Sequence, residues 1–361
     1  MPNMNSPTPV LSRGASAEAL SEFLQTGEEI DALMARPYPE VVEMMRRMEG
    51  DIAILGVAGK MGIALGAVCV AASRAAGVGR TVFGVSRFSS AAALDAVARA
   101  GMVPLRCDLL DQSAVAALPR APHVIFMAGR KFGTLGGEDQ TWAINVLTPA
   151  RVCEHFRYSR IAAFSTGCVY PLVPADSSGC TEATPPAPMG EYAQSCLGRE
   201  RVFEYFARAN GTPVSLLRLN YALDLRYGVL HDLATTIWQE KPVSRTVPCF
   251  NALWQGDAVN LAILALDAAA APSVVLNLTG PEKLSVTEVA EKLGELLGKP
   301  VVFDGAPGPA AYLNDASRLI NRYGPPRVPV ARVLEWTAHW VRNGGLSYGK
   351  PTHFEIANGT F

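Results

Sequence analysis

The sequence predicts an α/β fold, a doubly wound parallel sheet, on three observations. Strand-length apolar runs alternate with helically spaced apolar residues from Asp51 onward. The first run breaks into a glycine-rich loop that opens a helix, and later runs end in small or polar residues. Helices then cover both faces of the sheet, and a ligand belongs at the carboxyl ends of the strands, near the switch in strand order.

The first run, Ile52-Ala53-Ile54-Leu55, passes into Gly56-Val57-Ala58-Gly59-Lys60-Met61-Gly62 and then an Ala/Val-rich stretch over Ile63 to Ala76. That order reads as strand, tight turn and helix. The turn needs Gly56, close approach of backbone to a pyrophosphate needs Gly59, and close helix packing needs Gly62; Lys60 and Met61 lie between them at the helix N-terminus. The helical stretch is too short to span a membrane.

A second strand, Thr81 to Val85, ends in Ser86-Arg87, where an NAD-binding fold normally carries an acidic residue for the ribose hydroxyls. A carboxylate would repel a 2′-phosphate, whereas Ser86 and the Arg87 guanidinium suit one, so NADP is the expected cofactor and NAD the alternative. A third strand from Val103 ends in Asp108-Leu109, and a fourth from Val124 ends in Met127-Ala128-Gly129.

These pieces resemble the extended short-chain dehydrogenase/reductases, the NAD-dependent epimerase/dehydratase family, over residues 51 to 280. The resemblance also rests on Trp142-Ala143-Ile144-Asn145-Val146, Ser165-Thr166-Gly167-Cys168-Val169-Tyr170, Tyr192 and Gln255-Gly256-Asp257. It implies a Rossmann-type sheet with a smaller C-terminal substrate-binding lobe, and a homodimer formed through helices flanking the sheet. It also implies cofactor contacts at Gly56, Gly59, Gly62, Asp108 and Ala128, extending to the neighbouring Leu109 and Gly129, with Thr166 and Tyr192 beside the nicotinamide.

In that family the tyrosine is a general acid/base, helped by a lysine one helical turn later that favours phenolate and holds the nicotinamide ribose. Here Cys196 stands in the lysine's place, and a neutral thiol supplies neither the field nor the donors. Three readings stay open. Tyr192 has no proton-transfer role and Cys196 is a buried filler; or another cation serves, Lys131 being better placed than Lys60; or the chemistry moves to another acid/base pair. For the third, Cys168 resembles the epimerisation cysteine of GDP-fucose synthases, with His231 as its partner on the opposite face of a ketosugar. Sugar-nucleotide 4,6-dehydratases carry Asp-Glu after the catalytic threonine, and Gly167-Cys168 cannot replace that pair.

Arg218, Asn220, Tyr221 and Arg226, at and beyond the end of a strand over Val214 to Asn220, are candidate contacts to a polar substrate, although the family's Gly-Pro is missing there. The functional expectation is an NAD(P)-dependent oxidoreductase or epimerase acting on a hydroxyl or ketone of a sugar or sugar derivative. The alternative is a cofactor-binding protein with little or no turnover, a redox sensor or scaffold.

Composition fits a packed enzyme-sized protein: of 361 residues, 49% are hydrophobic and 18% charged. A formal charge of -1 gives no footprint for nucleic acid or an anionic membrane. Seven cysteines without metal or CxxC spacing, and no charged-then-apolar leader, read as reduced thiols in a cytoplasmic protein with no metal. Residues 1 to 15 read as mobile, and helical spacing follows at Ala17, Leu20, Phe23 and Leu24 and again over Val41 to Met48. The expected domains are an extension over 1–50, a cofactor-binding domain over 51–221 plus 246–277, and a substrate lobe over 222–245 plus 278–361. Thr184 to Pro188 is expected to wall the substrate pocket, Asp257 to cap a helix, and Ser285 with Glu288 to form a capping box. Gly349 to Glu355 carries no helical pattern.

Overall fold

The computed structural model describes residues 20–131, 133–350 and 352–356. Its centre is a seven-stranded sheet made of β1 (Ile52–Leu55), β2 (Val82–Ser86), β3 (Val103–Arg106), β4 (His123–Phe126), β5 (Arg160–Thr166), β6 (Val214–Leu219) and β7 (Val274–Leu278). The spatial order is β7-β6-β5-β4-β1-β2-β3, and every pairing is parallel. The direction of winding reverses between β1 and β4, so the crevice for a ligand opens there. Inner strands such as β1 are buried along their whole length because helices lie on both faces, while the edge strand β3 is largely exposed.

The helices in chain order are α1 (Gly27–Met34), α2 (Pro39–Arg47), α3 (Gly62–Ala75), α4 (Ala91–Arg99), α5 (Gln112–Ala116), α6 (Glu138–Trp142), α7 (Thr148–His155), α8 (Gly190–Asn210), α9 (Val229–Trp238), α10 (Gln255–Ala268), α11 (Val286–Leu297), α12 (Ser317–Tyr323) and α13 (Val330–Arg342). A five-residue π-helical turn, Ala143–Leu147, joins α6 to α7. On one face Met45, Leu65 and Ile263 of α2, α3 and α10 pack on Ile54, Ile125 and Leu217; on the other, Val152 and Phe203 of α7 and α8 pack on Leu55 and Phe126. A second core gathers Leu230, Leu293 and Trp336 from α9, α11 and α13. Ser285 accepts the Glu288 amide at 3.3 Å and caps α11, as its spacing predicts. No described helix is long and apolar enough to cross a membrane, and the seven cysteines form no disulfide.

The N-terminal extension departs from expectation. Residues 1–15 and Ala17 lie outside the described residues. Leu20 to Gln25 is not helical, because the Trp336 indole takes the carbonyls of Ser21 and Glu22 and Phe23 stacks on His339 at 4.2 Å. Helix formation waits until Thr26 caps α1. Asp257 is not a cap either: it is buried in the first turn of α10 and accepts the Tyr38 hydroxyl at 2.5 Å and the Val328 amide at 3.0 Å. Burial raises its carboxyl to about 6.

Candidate active site

The loop after β1 is shaped by three glycines. Gly56 has φ 92°, and a Cβ there would lie 2.6 Å from the Ala128 amide nitrogen, so the turn presses on the end of β4. A Cβ on Gly62 would lie 2.2 Å from the Val57 carbonyl, so the first turn of α3 sits against the loop, whereas one on Gly59 meets only the Gly56 carbonyl at 3.3 Å. The loop therefore presents open backbone at the N-terminus of a 14-residue helix, an arrangement that suits a phosphate. Gly129 also makes room for a protein side chain, since a Cβ there would lie 2.6 Å from the Arg199 guanidinium.

At the adenosine end expected from this geometry, Ser86 closes β2 half-buried, and the exposed Arg87 forms no ion pair among the described residues. Arg106, opposite Ser86 in register, donates to the carbonyls of Arg87 and Phe88 at 3.0 Å each. Sequence reading missed Arg106, although its place immediately before Cys107-Asp108 at a strand end was a signal. Asp108 is exposed at the end of β3 and accepts the Leu110 amide at 2.9 Å, while the Leu109 side chain turns into the core.

A cavity of about 200 Å³ lies beside the loop, lined by Lys60, Met61, Lys131, Thr166, Cys168 and Tyr192 together with Asn220 and Tyr221. Thr166 ends β5, and its hydroxyl receives the Cys168 amide at 3.2 Å, capping a short 3-10 turn. Tyr192 stands in the first turn of α8, where its side chain hydrogen-bonds those of Thr166 and Cys196. Burial raises the phenol well above its ordinary value, and the nearby thiols of Cys196 and Cys168 add to that; Arg199 and Thr166 oppose it. The fully buried Cys196 thiol is itself pushed up to about 11, chiefly by burial, so it is neutral near pH 7.

Positive charge reaches this cavity from two other elements. Burial pulls the Lys131 ammonium below its ordinary range, while Cys168, Cys196 and Asp232 favour its charged form. Lys60, 3.0 Å from the centre of the Tyr227 ring, is lowered to about 8 by burial and by repulsion from Lys350 and Lys131. The peptide preceding Lys131 is clamped: the fully buried Asn145 accepts from the Arg130 amide at 2.9 Å and donates to its carbonyl at 3.0 Å. Asn145 also donates to Ser195 at 2.9 Å, and Ser195 donates to the Tyr192 carbonyl at 2.8 Å. One amide in the π-helical turn thus ties the Lys131 loop to the Tyr192 helix; an asparagine set in an apolar helix was its signal in the sequence.

Three candidates are placed elsewhere. Arg218 points away from the cavity into the core. Its guanidinium meets the buried Glu200 at 2.6 and 3.0 Å and lies 4.5 Å over the Tyr170 ring, so it is a structural ion pair and not a substrate contact. His231 is buried in α9, with Nδ1 2.7 Å from the Leu225 carbonyl and Nε2 2.9 Å from Ser347, and it lines a different groove from Cys168. That helix begins at Val229, so His231 lies in its first turn, and the contacts to Leu225 and Ser347 hold the imidazole away from the cavity. Cys168 alone of that pair reaches the site. The Asn220 amide remains at the cavity wall, donating to Asn251 at 2.7 Å and to the Tyr312 carbonyl at 3.2 Å. Thr181 and Glu182, at the start of the Pro-rich loop, line an open groove beside β7 and α12 rather than this cavity. Tyr312, which the sequence did not single out, lines the cavity immediately after a short strand, Ala310–Ala311, that pairs with Val173-Pro174.

Residues 52–222 match the model of the NAD dependent epimerase/dehydratase family. Among solved structures, the chain is similar to the UDP-glucuronic acid 4-epimerase of Bacillus cereus in complex with NAD, with 19% identity, 81% of this chain and 99% of the other covered, and a TM-score of 0.67. It is similar to the dTDP-glucose 4,6-dehydratase of Streptomyces venezuelae with NAD bound, with 19% identity, 81% and 97% covered, and a TM-score of 0.68. A short-chain dehydrogenase/reductase superfamily protein of Agrobacterium tumefaciens with bound NAD gives 22% identity, 81% and 98% covered, and a TM-score of 0.67. No curated protein matches the chain. At these identities the solved structures speak for the fold, and the match to the NAD dependent epimerase/dehydratase family model covers residues 52–222, which hold β1 to β6 and the loops between them.

Proposed function

We propose that the protein is an NAD(P)-dependent oxidoreductase or epimerase acting on a hydroxyl or ketone of a sugar or sugar derivative, as a cytoplasmic homodimer. One observation carries the reading: the glycine loop, Lys131, Thr166 and Tyr192 line one cavity at the carboxyl ends of β1, β4 and β5. A nicotinamide dinucleotide fits the residues present, since Gly56 and Gly59 leave backbone bare at the N-terminus of α3. When bound, it supplies the hydride acceptor and donor.

The remaining work falls to side chains. Thr166 orients the substrate oxygen, and Tyr192 takes up or returns the proton on it. Burial alone would hold Tyr192 protonated, so the phenolate needs a cation nearby. Lys131, on the wall of the same cavity, is the candidate for the role left by Cys196, and Arg199 already opposes the rise at the Tyr192 phenol. For the cofactor, the absence of a carboxylate after β2 and the presence of Arg87 and Arg106 favour the 2′-phosphate of NADP, NAD being the alternative. Exposed Trp142, Leu147 and Tyr205, on α6, the π-helical turn and α8, favour a second copy of the chain on that face.

Mass spectrometry of small molecules released from the freshly purified protein tests this, followed by titration of any empty protein with NAD and NADP. A bound nicotinamide dinucleotide is expected, and failure to bind either form sinks the proposal. The neutral Cys196 favours a second reading, a cofactor-binding protein with little turnover. Activity created by Cys196→Lys would favour that degenerate site; activity lost would make Cys196 part of a working variant.

A further inference from the structure

The segment after α13 is pinned across the cleft beside α9. Ser347 meets His231 at 2.9 Å, and the Tyr348 amide donates to the Arg226 carbonyl at 3.1 Å. Thr352 donates its amide and its hydroxyl to Asp232, at 2.7 and 2.5 Å. Phe354 is buried against the second core, 6.3 Å from the Phe250 ring.

This strap separates two spaces. The inner one is the 200 Å³ cavity, walled on this side by Thr352, His353 and Ile356. The outer one is a groove of about 450 Å³ that runs past His231 and Asp232 and is walled by Ser347, Lys350, Phe354 and Glu355. Helix α9 borders both, with Val229 facing the inner space and Asp232 the outer.

The inner wall also carries unfinished polarity. Tyr312 is 6% exposed and lines the cavity, yet its hydroxyl has no hydrogen-bond partner among the described residues. A buried hydroxyl in that state favours a ligand that brings its own polar group.

We infer that the strap, residues 347–350 and 352–356, restricts the site to a compact polyhydroxylated substrate, no larger than a single sugar ring, and excludes nucleotide sugars. The inference rests on the proposed function for the cavity being the substrate site. The inner space falls below the roughly 300–1,000 Å³ typical of pockets for drug-sized ligands, and a diphosphate and base attached to the sugar would have to pass through Thr352 and His353. The Tyr312 hydroxyl then serves as a substrate contact.

Calorimetric titration with UDP and UDP-glucose tests this, with and without added nicotinamide dinucleotide. The ligands are titrated into the full chain, a chain ending at Gly349, and Asp232→Ala, which keeps the full length and removes both anchors of Thr352. The full chain is expected to bind neither nucleotide, and the two released variants to gain at least about tenfold in affinity for UDP. Near-ultraviolet circular dichroism confirms that each variant is folded; if the shortened chain is not, Asp232→Ala decides. Micromolar binding of either ligand by the full chain, or no gain in a folded released variant, overturns the inference. Failure to bind any nicotinamide dinucleotide would instead defeat the functional proposal, and the UDP result would still show whether the strap bars nucleotides.

Discussion

The β1 to β4 half of the site and the half built from α8, β5, β6 and the strap differ in how they are made. The first is backbone: Gly56 and Gly62 are demanded by contacts of 2.6 and 2.2 Å to main-chain atoms of residues close by in the fold. The second is side chain, with Thr166, Tyr192, Tyr312 and Thr352 brought to one cavity from segments far apart in sequence. Backbone geometry tolerates only glycine and so leaves a local pattern in the sequence, whereas side chains that meet by tertiary packing are legible only where flanking motifs mark them, as for Thr166 and Tyr192 and not for Tyr312 and Thr352.

Changes in the two halves should therefore fail differently. Tyr192→Phe is the largest expected effect: turnover of a compact sugar, followed by cofactor absorbance, falls by about 10²- to 10⁴-fold while cofactor binding is retained. Loss of binding as well would mean the halves are not separable. Glu200→Ala strips the buried Arg218 of its counter-charge and Ser165 of its acceptor, and should cost about 3–5 kcal/mol in urea unfolding. Replacing both members by Glu200→Leu with Arg218→Met should recover much of that loss, since no charge is then left uncompensated.

Gly56→Ala forces a side chain into a left-handed conformation against Ala128, and should cost about 1–3 kcal/mol and empty the protein of retained cofactor. Arg87→Ala should weaken NADPH by about tenfold or more and leave NADH unchanged, read by fluorescence titration. Equal losses for both would assign Arg87 to the loop alone.

The smallest effect concerns pH. The Asp257 carboxyl is raised from 3.8 to about 6 in the folded state, so folding favours its protonated form. Stability from this group is present at low pH and is lost as pH rises from 3.8 to about 6. Asp257→Asn should lack that slope when melting temperatures are compared across the window.

The sheet, its winding and the glycine loop were legible because apolar runs and glycines report backbone geometry directly. Thr166 and Tyr192 were legible through the order of the motifs that surround them. Arg218 misled because an arginine at a strand end reads alike whether it faces a ligand or a buried glutamate, and Glu200 lies 18 residues away on another element. His231 misled because its imidazole is taken up by the Leu225 carbonyl and by Ser347, a residue 116 positions away. Asn145 was legible only as an asparagine set in an apolar helix, and the Tyr312 hydroxyl depends on contacts between elements that no local pattern encodes.

The Tyr38–Asp257–Val328 junction bears on the order of folding. Its members lie 219 and 71 residues apart, so it cannot close until Val328 has been made. Until α10 has been made, the methionines of α2, Met44 and Met45, lack the α10 surface they are buried against in the finished molecule. During synthesis the extension is thus a sticky leading segment awaiting a late partner, and the newborn chain is most prone to aggregate before α10 docks.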